Sequence, residues 1–192
     1  MSEMVVALGS NLGDREATLR AAVRDIADID GITVIAVSGL VESHALKTDG
    51  VDESAPSYLN AVLLAAGDLA PHRMLDELQR IELAHGRVRD ERWGDRTLDL
   101  DLISVVGVVE GDAVESGAVD GAVVEGTVVE DGERLTLPHP RAWERAFVLA
   151  PWAELQPDAE IPGRGPVAEL LATASDSVWD YPAAPLLDSV RP

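Results

Sequence analysis

In the segment Arg96 to Ile103, RTLDLDLI, aspartates at 99 and 101 alternate with leucines at 98, 100 and 102. Residues two apart on a β-strand share a face, with Cα atoms about 7 Å apart. Asp99 and Asp101 therefore point one way and the three leucines the other. A half-buried antiparallel strand gives the same alternation, apolar inward and polar outward. Two facts favour chemistry. Aspartate is depleted in strands, and two carboxylates at about 7 Å repel by about 2 kcal/mol at an effective dielectric of about 20. A cation between them reverses that sign.

The surroundings of the pair bear on the choice. The chain carries 35 acidic against 15 basic residues, a formal net charge of −20, and Lys47 is its single lysine. Such a surface repels nucleic acid and anionic membranes, so neither is expected as a partner. Against that background, Arg80, Arg87, Arg89, Arg92 and Arg96 fall within seventeen positions leading to the aspartates, and Arg134, Arg141 and Arg145 gather later. Scattered arginines would merely offset surface acids; converging guanidinium groups suit an anion with several charges. Neighbouring carboxylates with several arginines fit a magnesium-nucleotide site, because Mg²⁺ commonly takes one or two carboxylates plus substrate phosphates. The glycines of a P-loop are missing around Leu46-Lys47-Thr48, and there is no GxGxxG. Side chains and metal must then hold the phosphates.

The elements that position these groups can be read along the chain. Met4 to Leu8 is an apolar strand ending in Gly9-Ser10-Asn11. Asp14 to Ile29 has Leu19, Val23 and Ile26 at helical spacing and stops at Gly31. Ile32 to Val41, rich in β-branched residues, reads as one strand, and Ser43 to Ser57 as a long mobile loop. A third strand over Tyr58 to Ala66 and a second helix over Pro71 to His85 precede the arginine segment. Ser104 to Glu133 holds ten valines, six glycines and eight acids with no basic residue, and is read as an insertion forming one or two hairpins. Its acids do not follow EF-hand spacing. A short strand, a Pro-bounded loop and a helix follow, then a last helix near Val167 to Ala174 and a Pro-rich tail. The order β-α-β-β-α-β predicts an α+β, ferredoxin-like antiparallel sheet with helices packed on it in three αβα layers. A single domain over 1–192 is expected, with the insertion at about 104–133.

The chain has no cysteine, so disulfides and thiolate zinc sites are excluded. It shows neither a signal-peptide pattern nor an apolar run of about 20 residues. A cytoplasmic, monomeric protein is the expectation.

Four strings are more specific: GSNLGD near the start, YLNAV in the third strand, GRVRDERWGDRTLDLDLI, and LTLPHPRAWERAFVLAP. In this order they resemble the 6-hydroxymethyl-7,8-dihydropterin pyrophosphokinases of folate biosynthesis, over roughly residues 4 to 160 apart from the valine-rich insertion. The resemblance implies transfer of pyrophosphate from ATP to the hydroxymethyl group of the pterin, with release of AMP. It implies two Mg²⁺ ions on Asp99 and Asp101, and Arg87 and Arg96 as catalytic arginines of a loop that also holds Arg89 and Arg92. It implies Tyr58 and Phe147 stacked on the pterin ring, Asn60 on its polar edge and Trp93 covering its side. Gln79, Glu82, Arg89, Arg92, His139 and Arg145 fall where the family contacts ATP. Asp95 stands where the family has a proline or small residue, and the loop from Glu42 to Leu46 lacks the usual Tyr-x-Thr-x-Pro. Those departures leave room for a non-catalytic pterin or nucleotide binder on the same fold. A magnesium-dependent phosphohydrolase is a third reading, against which the aromatic pair and Asn60 argue, since hydrolysis needs no flat-ring pocket.

Overall fold

The computed structural model of the chain describes residues 1–47, 50–52, 54–86, 97–109 and 124–187. In chain order the elements are β1 (Ser2–Ser10), α1 (Arg15–Ala27), β2 (Ile32–Val37), β3 (Leu40–Ser43), β4 (Ala45–Lys47), β5 (Gly50–Asp52), β6 (Tyr58–Gly67), α2 (Pro71–Ala84) and β7 (Asp99–Val109). They continue with β8 (Val124–Thr127), β9 (Glu130–Asp131), β10 (Thr136–Leu137), a 3-10 turn (Ala142–Glu144), α3 (Ala146–Leu155), β11 (Glu160–Ile161), β12 (Gly165–Pro166), α4 (Val167–Thr173) and β13 (Val178–Tyr181).

The main sheet runs β13-β3-β6-β1-β7-β8, with β2 also paired to β6, and every pairing is antiparallel. If β2 and β3 count as one broken strand, the central order is the ferredoxin-like one expected. The break falls at Ser38-Gly39, where the Ser38 hydroxyl accepts from the Val62 amide and the Gly39 amide donates to Glu154. Side-chain partners there replace ladder bonds, so the single strand foreseen over 32–41 is two.

Each helix covers the face that its apolar spacing dictates. Leu19, Val23 and Ile26 of α1 and Met74, Leu78 and Ile81 of α2 join Leu98, Leu100 and Leu102 in one core. Val148, Leu149 and Trp152 of α3 and Val167 of α4 close a second core against Val5, Val62, Leu64 and Ile103 on the other face. The result is three layers. Asp14 caps α1 by accepting the Ala17 amide, and Pro71 opens α2, where a missing N–H costs nothing.

Three segments differ from the sequence reading. The stretch expected to be a mobile loop contains the β4-β5 hairpin. The strand of the aspartates runs on to Val109 and pairs with β8, so the start of the valine-rich insertion continues the sheet. In the Pro-rich tail, β13 adds a strand beside β3. Among the described residues, no helix is long and apolar enough to cross a membrane.

Candidate active site

The aspartates lie at the start of β7, on the face opposite the α1-α2 core. Leu98, Leu100 and Leu102 are buried in that core, and the half-exposed Asp99 and Asp101 alternate with them. The alternation ends at a β-bulge: Val5 pairs with Ser104 but Val6 with Leu102, so Ile103 is the extra residue and turns into the second core. Past the bulge the phase is reversed, and Val105 faces the first core. Bulges re-aim side chains in this way. Here Asp99, Asp101 and Ile103 share the α3 face by ordinary alternation, and the bulge after Ile103 turns Val105 to the opposite core.

Strand register joins the pair to the other predicted residues. Asn60 of β6 is opposite Gly9 of β1, and Gly9 is opposite Asp99 of β7. The three form one row, which places Asn60 and Asp99 two strand spacings apart, about 10 Å. Tyr58 is two residues from Asn60 and shares its face. A Cβ added to Gly9 would meet Asn60 Oδ1 at 3.3 Å and the Tyr58 ring at 3.7 Å. The backbone torsion at position 9 is ordinary, and a side chain there would crowd Asn60 by a few tenths of an ångström, so Gly9 keeps the floor between Asn60 and Asp99 free of a methyl. Asn60 is buried and donates to Ser43 Oγ at 3.0 Å. Ser10, next to Gly9 and fully buried, donates to the Thr97 carbonyl at 2.6 Å and ties the end of β1 to the lead-in of β7. Gly9, Ser10 and Ser43 carry no signal of their own in the sequence beyond the GSN string and a polar residue in a strand. Their roles emerge only from the register.

Positive charge arrives from the segment before α3. Arg145 Nη1 is 3.9 Å from Asp101 Oδ2, with 13% of the arginine side chain and 37% of the aspartate side chain exposed. The guanidinium also lies 5.5 Å from the Phe147 ring centroid, a cation–π distance. Its Nε is buried with no hydrogen-bond partner among the described residues, a donor held in reserve. Burial lowers the Arg145 pKa, Asp101 opposes the shift, and the group stays charged at neutrality.

His139 follows the same strip. Its amide donates to the Ile103 carbonyl at 2.8 Å, which sets it beside β7. Burial and, next, the positive charge of Arg145 push its pKa down to about 4, while Asp99 pulls the other way. The ring is therefore neutral at physiological pH, and Nδ1 accepts the Arg141 amide at 3.3 Å.

On the outer edge of β7, Glu82 of α2 is 1% exposed, and its carboxylate accepts the Leu100 amide at 2.8 Å. The bond falls on the residue between the two aspartates. Glu82, whose expected place is at the nucleotide, also holds the strand of the aspartates from α2. Gln79, half-buried, lies one turn earlier on the same side of α2. Arg87, Arg89, Arg92, Trp93, Asp95 and Arg96 lie outside the described residues.

The donor set suits Mg²⁺. Two carboxylates share one face, and among the described residues no group of three or more His, Cys, Asp or Glu could cage a metal. Two half-exposed carboxylates on one face fit an ion whose remaining ligands are phosphate oxygens and water. A separate pocket of about 380 Å³, lined by Glu3, Ser104, Trp152, Gln156, Asp158 and Glu160 among others, lies past the bulge. Its charged lining is acidic and repels a triphosphate.

Comparison with known proteins agrees with this geometry. The family model for 7,8-dihydro-6-hydroxymethylpterin-pyrophosphokinase (HPPK) matches residues 5–157. The chain is 38% identical over 177 residues to the 2-amino-4-hydroxy-6-hydroxymethyldihydropteridine pyrophosphokinase of Methylorubrum extorquens, covering 92% of this chain and 96% of that one. It is 42% identical over 176 residues to the enzyme of the same name from Mycobacterium tuberculosis, covering 90% and 84%. In three dimensions it resembles the HPPK-DHPS of Plasmodium falciparum with a TM-score of 0.60 at 11% identity, over 90% of this chain and 45% of that longer one. That last likeness bears on fold alone. The family match spans the GSN string, the Asp-Leu-Asp strand and the His139 to Phe147 segment together, and on that footing the chain belongs to the 7,8-dihydro-6-hydroxymethylpterin-pyrophosphokinase family.

Proposed function

We propose that this chain transfers pyrophosphate from ATP to the hydroxymethyl group of 6-hydroxymethyl-7,8-dihydropterin and releases AMP, as a step of folate biosynthesis. The observation that carries the reading is the row Asn60, Gly9, Asp99. It sets Tyr58 and Asn60 on the same face as a carboxylate pair, of which Asp101 lies 3.9 Å from the largely buried Arg145 guanidinium.

The reaction forms a bond between the hydroxymethyl oxygen and the β-phosphorus and breaks the bond from that phosphorus to the α-bridging oxygen. Negative charge grows on the departing AMP. Tyr58 and Phe147 would hold the pterin ring between two aromatic faces, and the Asn60 amide would read its edge with one donor and one acceptor. Asp99 and Asp101 would hold two Mg²⁺ ions, which would supply neutralising charge to the triphosphate and to the departing group. Arg145, already desolvated, supplies a fixed positive charge to the phosphate side, where preorganised charge acts most strongly. Neutral His139 donates or accepts a hydrogen bond there without adding charge. Arg87 and Arg96 are assigned to the transferring group, Arg89 and Arg92 to the triphosphate and Trp93 to the outer side of the pterin. Gln79 is assigned to the nucleotide, near the β7 edge that Glu82 secures. The activity is placed in the cytoplasm, in a monomer that binds no nucleic acid.

The test is incubation with ATP, Mg²⁺ and the hydroxymethyl dihydropterin, with products resolved by chromatography. AMP and the pterin diphosphate are expected in equal amounts. ADP, or phosphate released without the pterin, would exclude the reading.

A further inference from the structure

Glu42 lies behind the recess, on the opposite face of the sheet, where four elements meet. In the β3-β6 ladder Val41 is opposite Asn60 and Ser43 opposite Tyr58. Glu42 falls between these pairs, opposite Leu59, and shares that residue's face, turned toward α1. Its Oε1 accepts from Arg15 Nη1 at 2.8 Å and from the Ser57 hydroxyl, and its Oε2 accepts from Trp179 Nε1 at 3.1 Å. The same Arg15 Nη1 donates to the Ser57 carbonyl and to Ser57 Oγ, each at 2.8 Å. Trp179 is opposite Glu42 on β13 and carries the His44 ring edge-on at 4.9 Å between centroids.

The covalent path explains the consequence. The β4-β5 hairpin leaves the sheet at Ser43 and returns at Tyr58. Ser43 receives the Asn60 amide, and Ser57 immediately precedes Tyr58. One carboxylate with one guanidinium therefore pins both ends of this excursion: β3 through Glu42 itself, and the approach to Tyr58 through both the hydroxyl and the carbonyl of Ser57. Only 19% of the Glu42 side chain and 24% of the Arg15 side chain are exposed. Hydrogen bonds to charged partners are stronger than neutral ones, and partial burial strengthens them further.

We propose that Glu42 is a positioning residue for the pterin half of the site, fixing Tyr58 and the Ser43-Asn60 pair from behind the sheet without touching the ligand. The inference rests on the assignment of Tyr58 and Asn60 to the pterin. It assigns no role to Glu42 toward ATP, whose proposed contacts are on α2, the arginine segment that follows it, β7 and the segment before α3.

The experiment compares Glu42→Gln, Ser57→Ala and Ser57→Thr with the wild type. Turnover gives KM for the hydroxymethyl dihydropterin, and calorimetry gives Kd for a non-hydrolysable ATP analogue with Mg²⁺ and no pterin. Glu42→Gln and Ser57→Ala are expected to raise the pterin KM about tenfold, the loss of one charged hydrogen bond, while nucleotide Kd stays within about twofold. Ser57→Thr keeps the hydroxyl and is expected to keep the wild-type pterin KM. If Glu42→Gln lowers the melting temperature enough to obscure the kinetics, Ser57→Ala decides, since it deletes a single oxygen. Equal losses for both ligands, or an unchanged pterin KM, overturn the inference while leaving the activity intact. A wild type that forms no AMP overturns the underlying assignment instead.

Discussion

Asp99 and Asp101 are like charges on one face of β7, half-exposed, with the Arg145 guanidinium 3.9 Å from Asp101. Removing a carboxylate should relieve repulsion in the unliganded protein while depriving the reaction of its metal. Asp99→Asn and Asp101→Asn are expected to lower kcat about 10² to 10³-fold with the melting temperature unchanged or raised, measured by AMP formation and calorimetric scans. Gly9→Ala tests the floor of the recess. The added methyl reaches Asn60 and Tyr58 at 3.3 and 3.7 Å without backbone strain. The variant should fold normally and show a pterin KM raised about tenfold, an effect on the order of 1.4 kcal/mol. His139 gives a pH signature. Its folded pKa is about 4 against 6.5 for the free side chain. As pH falls from 6.5 toward 4, the unfolded chain takes up a proton that the folded chain refuses, so stability falls through that window. A His139→Asn variant should lose this component of the pH dependence, read from melting temperatures between pH 4 and 7.

The Glu82 to Leu100 bond shows how α2 serves the site from a distance. Replacing Glu82 by Leu leaves a buried strand amide unpaired, at a cost of about 1–3 kcal/mol. Loss of that hold between the two aspartates should also weaken Mn²⁺ binding, measured directly by electron paramagnetic resonance. Much of the element order was legible beforehand, for local physical reasons. Leu19, Val23 and Ile26 repeat at helical spacing, Asp14 and Pro71 mark helix starts, and leucines alternate with Asp99 and Asp101. What escaped depends on partners distant in sequence. The bulge at Ile103 exists because β1 and β7 slip by one residue. The break at Ser38-Gly39 depends on Val62 and Glu154, and β13 is a strand because β3 offers it an edge. The same rule applies in the site. Asp99, Asn60 and Tyr58 stand out by type and motif, whereas Gly9, Ser10 and Glu42 owe their roles to the ladder opposite them.

Across the whole molecule, acidity and the valine-rich segment are the features to which the proposed reaction assigns no residue. Val109 and Val124 are ladder partners, a separation that a two-residue hairpin turn can close. Replacing residues 110–123 by Asn-Gly keeps the Val109-Val124 ladder end and is expected to leave turnover within about twofold of the wild type. A loss of folding or of pterin affinity in that deletion would show that the segment belongs to the working domain. The formal net charge of −20 makes the largely buried guanidinium at Asp101 the more consequential, because a polyanionic substrate must be drawn to one small region of an acidic molecule. The central claim is that this region performs pyrophosphoryl transfer to a pterin alcohol. The most direct measurement follows ATP labelled at the β-phosphorus with purified chain, Mg²⁺ and 6-hydroxymethyl-7,8-dihydropterin. The account predicts label in the pterin diphosphate with AMP released in equal amount; label remaining in ATP, or appearing in ADP or free phosphate, would contradict it.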